Sequence, residues 1–237
     1  MNKPKPGEEM DAQDFEKILD VPYYSQFTEV ENSELSNGWS TKSCGILCLK
    51  MVMDYWHDKS GIRVPELHSL VEEALKLGAY DSEAGGWTHD GLVRTAEHFG
   101  FVAWRRKWLH SDSEVKLFQQ WGWLPEAIKL SEEQTAREGV ATLDNSIVRD
   151  IPVIVSVPKE FNEVHKRHLI VLTGVRKDPL DDTYHGFYIN DPYNPSQETK
   201  SRDLRKDEFV DQARFINNWN RRAIFVVPKD FEVETDA

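Results

Sequence analysis

The 237-residue chain has only two cysteines, Cys44 and Cys48. They stand one turn apart on the same helical pattern, where side chains rarely reach disulfide geometry, so no disulfide staple is expected. Long apolar runs are absent as well. No stretch approaches the ~18 residues of a membrane span, and the opening MNKPKPGEEMDAQDFEK has no apolar core of a secretory signal. No membrane span is expected, and a cytoplasmic location, bacterial or otherwise, is the default. Basic charge is also scarce. Lys and Arg number 29 against 41 Asp and Glu, a net charge of −12, which argues against nucleic acid as a partner because phosphate binding needs a basic surplus on one face. There is no GxxxxGK[ST] nucleotide loop and no internal repeat. What is plentiful is material for a core: 39% hydrophobic residues with 8 Trp and 11 Phe exclude a chain disordered throughout.

The stretch 39–56, WSTKSCGILCLKMVMDYW, begins small and polar and continues apolar. From Ile46 to Trp56 only Lys50 and Asp54 are charged, and with His57 they fall at i, i+4, i+7 and leave one narrow wet stripe on a buried helix. Ser43 is placed as N-cap, Cys44 in the first turn, and Gly45 offers no side chain to block approach to the sulfur. Before this helix, 1–13 reads as a mobile tail, DFEKILD as a short helix, LDVPYYSQ as an extended segment and 28–43 as a long loop. After it, Pro65 opens a helix closed by Gly78, and Thr88 and Gly100 bracket another. FVAWRRKW alternates as a strand, and Ser111 and Glu114 have capping-box spacing. The region 125–150 lacks a clean apolar period and reads as an insertion or a short helix ending near Asp150. IPVIVSV, HLIVLTGV, GFYIND and RAIFVV then read as strands of an antiparallel sheet, interrupted by one helix in KDEFVDQARF. Helices first and strands later imply an α+β domain with a cleft between the lobes.

A cysteine on an apolar helix is usually a small buried hydrophobe, and Cys48 fits that description. Cys44 differs by its place at a helix N-terminus, where the macrodipole and free N–H groups favour thiolate. A nucleophilic thiol needs a base, and His168 opens the most strand-like run of the second half. Asp191 ends the following strand, where it would orient the imidazole, and Asn190 could take the same role. Gln26, upstream of the nucleophile, could donate to an oxyanion. Taken singly, His168 reads as a structural histidine, Asp191 before Pro192 as a turn residue and Gln26 as an ordinary polar residue after a strand. His165 and His168 are three apart, but with Cys44-x3-Cys48 they match no common structural zinc site, so no metal is expected. His89, beside Trp87, could line a cleft.

The ordered set of motifs resembles the bacteriocin-processing, or double-glycine leader, peptidase-like family, a branch of the papain-like cysteine peptidases. VPYYSQ is similar to that family's opening strand with its oxyanion glutamine, W…SCG…L.MV..Y to its nucleophile helix, HLIVLTGV to its histidine strand and INDPYN to its acid. The resemblance covers roughly 19–228. It implies a free-standing member without fused exporter domains, with Cys44 as nucleophile, His168 as base, Asp191 as orienter and Gln26 as oxyanion donor. It further implies a papain-like fold, an N-terminal helical lobe (about 40–120) packed on a C-terminal antiparallel sheet (about 150–228), between flexible tails at 1–18 and 229–237. The expected reaction is hydrolysis of a peptide or protein substrate through a thioester acyl-enzyme, with no metal or organic cofactor. The same triad serves a non-cleaving peptide-binding module or an amidase or acyltransferase, and these readings stay open, as does oligomeric state. The sequence departs from the pattern at Ile46, where many members carry Pro, and the 27–43 loop and 125–150 have no clear counterpart.

Overall fold

The computed structural model describes residues 14–27, 39, 42–161, 168–180, 183–193 and 206–231. The expected tail over 1–13, most of the 28–43 loop, His165 and the last residues, 232–237, lie outside the described residues. In chain order the elements are β1 (Phe15–Ile18), α1 (Cys44–Ser60), α2 (Leu67–Lys76), β2 (Tyr80–Asp81), β3 (Gly86–Trp87), α3 (His89–His98), β4 (Phe101–Lys107), α4 (Asp112–Gln120), α5 (Pro125–Val148), β5 (Val153–Val157), β6 (His168–Lys177), β7 (Tyr184–Asn190), β8 (Glu208–Asp211), α6 (Gln212–Asn218) and β9 (Arg222–Pro228). This is the expected α+β arrangement.

Helix α1 forms the centre. It stops at Gly61, whose φ of 73° turns the chain left-handed while its N–H closes on the His57 carbonyl. Between Gly45 and Trp56 only Lys50 and Asp54 escape full burial. They pair across one turn, and the Tyr24 hydroxyl donates to Asp54 Oδ2 at 2.7 Å, so the wet stripe is closed by its own ion pair and one tyrosine. The apolar remainder packs on β5, β6 and β9. At roughly 1.5–3 kcal/mol for each large side chain removed from water, that burial fixes the helix across the sheet.

The sheet has seven strands in the order β4-β9-β5-β6-β7-β8, all antiparallel, with β1 added beside β6. One edge of β6 is shared. Its first half, His168–Leu172, pairs with β5, and its last residues, from Gly174, pair with β1. No helix among the described residues is long and apolar enough to cross a membrane.

Three local expectations change. DFEKILD contributes strand β1 rather than a helix, because Phe15 to Ile18 find an open stretch of β6 and ladder onto it. The 125–150 region is one 24-residue helix, α5. Its buried stripe of Ala136, Gly139, Val140, Leu143 and Ile147 uses two of the smallest residues, since the rings of Trp108 and Trp219 press on Gly139 where a Cβ would stand. A stripe built that way carries little apolar signal. KDEFVDQARF divides into β8 and α6, because Asp211 caps α6 through the Arg214 N–H at 3.0 Å and Val210 pairs with Phe187. The expected capping box at Ser111 and Glu114 is present on α4, and Thr88 caps α3.

Candidate active site

Cys44 is the first residue of α1 and is half-buried. Ser43 occupies the N-cap position, but its ψ of 4° is not the extended geometry of a capping residue, and its side chain accepts no cap hydrogen bond. The Ser43 hydroxyl is buried without a partner among the described residues. The cap expected of Ser43 is therefore not made. The Gly45 N–H bonds the Cys44 sulfur. Gly45 is required by packing more than by access to the thiol: a Cβ there would lie 2.7 Å from Trp87 Cβ and 3.1 Å from Leu169 Cδ1.

His168 begins β6 and is buried, with Nε2 2.6 Å from Asp191 Oδ1. Facing a carboxylate, Nε2 carries the proton, so the other ring nitrogen, Nδ1, is the one hydrogen-bonded with Cys44. Asp191 follows β7, is fully buried, and accepts a second bond from the Tyr193 N–H at 2.8 Å. Asn190 does not share its role. Its amide donates to the Val21 carbonyl and accepts from the Asp207 N–H, both structural contacts. Burial opposes a charged His168, but the charge and hydrogen bond of Asp191 outweigh it with help from Cys44, and the imidazole is pushed up to about 10. Burial also pushes the Cys44 thiol up, yet His168 and the N–H groups of Leu169 and Gly45 outweigh it, and the thiol lies below its ordinary value. Cys48 shows the reverse. Burial, reinforced by Cys44 and Asp191, raises its thiol far above the ordinary value, and its Sγ donates to the Leu169 carbonyl at 3.2 Å.

Gln26 reaches this neighbourhood through its backbone. Leu19 N–H bonds Thr173, Tyr23 Oη bonds the Asp191 carbonyl at 3.0 Å, Tyr24 bonds Asp54, and the Gln26 N–H donates to the Pro192 carbonyl at 2.8 Å. Four ties thus seat the extended segment against β6, α1 and the residues around Asp191, and Gln26 is buried there.

A cavity of about 260 Å³ opens beside Cys44 and His168, with Trp87, His89, Ser156 and Arg222 in its wall. His89 Nε2 lies 2.7 Å from Ser156 Oγ. Burial holds the His89 imidazole below its ordinary range, and Arg222 and Arg105 add to this against a weaker pull from Asp90. Sequence reasoning placed His89 near a cleft but passed over Ser156 and Arg222. The signal for Ser156 was its position as the one polar residue in VIVSV. Trp39 packs on Tyr80 and Trp87, with ring centroids 5.1 and 5.7 Å away, and the Trp87 Nε1 donates to the Lys42 carbonyl at 2.7 Å. That aromatic group holds the approach to Cys44 in place.

No curated protein matches the chain in sequence. Among solved structures, one described as a C39-like peptidase from Bacillus anthracis is 16% identical with a TM-score of 0.52, covering 91% of this chain and 99% of that one. The peptidase domain of Streptococcus ComA, a bi-functional ABC transporter, is 20% identical with a TM-score of 0.45 over 80% of this chain and 93% of that one. A double glycine motif protease from an AMS/PCAT transporter, solved with its leader peptide, is 17% identical with a TM-score of 0.44 over 90% and 94%. The Bacillus structure carries the likeness of fold. The family model described as Peptidase_C39 like family matches residues 18–223, nearly the whole described chain from β1 to the start of β9, and the protein belongs to that family.

Proposed function

We propose that the protein is a cysteine peptidase that hydrolyses peptide bonds of a peptide or protein substrate through a thioester on Cys44. The observation that carries this reading is the hydrogen-bonded series from Cys44 through His168 to Asp191 at the wall of a cavity. His168 Nδ1 holds the thiol proton, leaving a thiolate to attack the substrate carbonyl carbon. The resulting oxyanion takes hydrogen bonds from the Cys44 N–H and the Gln26 amide. The imidazolium then protonates the departing amine, and the C–N bond breaks to leave the thioester. In the second half His168 takes a proton from water, hydroxide adds to the thioester carbonyl, and thiolate leaves with the acid product. Asp191 keeps the proton on Nε2 throughout and offsets the imidazolium charge.

The test is a mixed peptide library incubated with wild type and with Cys44→Ala, read by mass spectrometry of products and of the intact enzyme. Cleavage by wild type, none by Cys44→Ala, and a transient mass increase on Cys44 are expected. An activated thiol with no cleaved peptide would sink the reading and favour a binding module or acyl transfer to a different substrate.

A further inference from the structure

The cavity beside Cys44 has a charge pattern opposite to that of the molecule. The chain carries a net −12, yet among the described residues no carboxylate is in the cavity wall. The charged residues there, apart from the Cys44 and His168 pair, are Lys42 and Arg222. Both side chains are exposed, and neither has an acidic partner among the described residues. The nearby Arg105, by contrast, is paired with Asp90. Two helices also begin at this cavity, α1 at Cys44 and α3 at His89, and each presents the positive end of its dipole. The hydrogen-bonded His89 and Ser156 add polar atoms to the same wall. At about 260 Å³ the cavity lies below the ~300–1,000 Å³ of small-molecule sites and suits a single side chain or chain end.

Resting on the peptidase reading above, we propose that this cavity is a substrate subsite for a carboxylate, an acidic side chain or a free C-terminus near the scissile bond, with Arg222 and Lys42 as its specificity-determining residues. A carboxylate there meets two unpaired cations and two helix ends without displacing an internal ion pair. A lysine side chain meets only like charge.

Fluorogenic peptides carrying Glu, Gln or Lys at each position around the cleaved bond, each with a free or an amidated C-terminus, are assayed with wild type, Arg222→Glu and Lys42→Glu. Wild type is expected to favour Glu over Gln at one position, or the free over the amidated end, by on the order of tenfold in kcat/KM. The preference shrinks in each charge reversal, and the Lys peptide gains. Which of the two peptide series shows the effect identifies the source of the carboxylate. Equal rates across both series in wild type overturn the subsite, as does a preference that neither reversal moves. A second readout needs no cleavage: the rate of Cys44 alkylation by anionic iodoacetate relative to neutral iodoacetamide. This ratio falls several-fold in Arg222→Glu if the subsite is right and is unmoved if it is wrong. A protein that cleaves no peptide but shows the fall keeps the carboxylate subsite and loses the peptidase reading.

Discussion

Leu169 bonds both cysteines of α1, and in opposite senses. Its N–H helps bring the Cys44 thiol below its ordinary value, while its carbonyl accepts the Cys48 thiol proton. Two chemically identical side chains one turn apart are thereby separated into a thiol held low and a core thiol held high. The separation depends on His168, because burial alone raises both thiols. Iodoacetamide labelling of wild type should therefore titrate below the ordinary thiol value of about 8.5, and in His168→Ala the midpoint should move above it, with burial opposed only by the Leu169 and Gly45 N–H groups. A midpoint that stays put would remove the imidazole from the thiol's control. With Gln26 in the role proposed for it, Gln26→Ala should leave that titration alone and lower kcat by on the order of 10²–10³, the loss of one oxyanion donor. If turnover survives intact, the oxyanion is held elsewhere. At this scale the meeting of Cys44, His168 and the end of β7 was legible because their motifs occur in order, each on an element whose type can be read locally. Which of Asn190 and Asp191 faces the imidazole was not, since adjacent residues at a strand end differ only in direction. The cations of the cavity wall were hidden for a similar reason: Lys42, just before α1, and Arg222, at the start of β9, are 180 positions apart and come to one cavity only because α1 packs on the sheet.

Helix starts show how far local rules reach. Thr88 and Ser43 both precede a helix and both read as caps, yet only Thr88 accepts a bond, from the Gly91 N–H at 3.0 Å. The difference is backbone: Thr88 is extended with ψ 143°, whereas Ser43 has ψ 4° and its hydroxyl is buried unpartnered. Thr88→Ala should cost about 1 kcal/mol in urea unfolding, a normal capping loss. Ser43→Ala should be neutral or stabilising, because it deletes a buried hydroxyl that has no partner among the described residues. Equal costs for the two substitutions would mean that Ser43 does cap α1. Element type was readable where a period and a cap agreed, as on α3 and α4, and along the β-branched runs of β5, β6 and β9. It was misread where tertiary contacts replaced local signals. On α5 two tryptophan rings made glycine the right interior residue, and in KDEFVDQARF an aspartate cap fell inside a run whose apolar spacing also fits a single helix.

The order of helices before strands revealed the architecture, but the sheet order did not follow from it. β4 pairs with β9 across more than a hundred residues, and β1 joins the far end of β6, neither of which any local pattern encodes. The β1 contact bears on the whole molecule because it ties the start of the chain to three elements. Lys17 Nζ donates to the Val148 carbonyl at the end of α5 and pairs with Asp150, while Glu16 bonds Arg176 on β6 and Tyr188 on β7. The charged groups among these are half-buried or exposed, so the ion pairs add little and the ladder to β6 supplies most of the effect. Deleting the chain through Ile18 should cost about 2 kcal/mol, a fall in Tm of roughly 5 °C for a domain of this size. The deletion should leave the site alone. β1 meets β6 from Gly174 onward, and His168 lies six residues away along a rigid strand, roughly 20 Å at the usual rise. The Cys44 alkylation profile of the shortened chain should therefore overlay that of the full chain even as its Tm drops. An unchanged Tm would make β1 an ornament of the sheet, and a shifted thiol profile would show that the far end of β6 positions His168 after all.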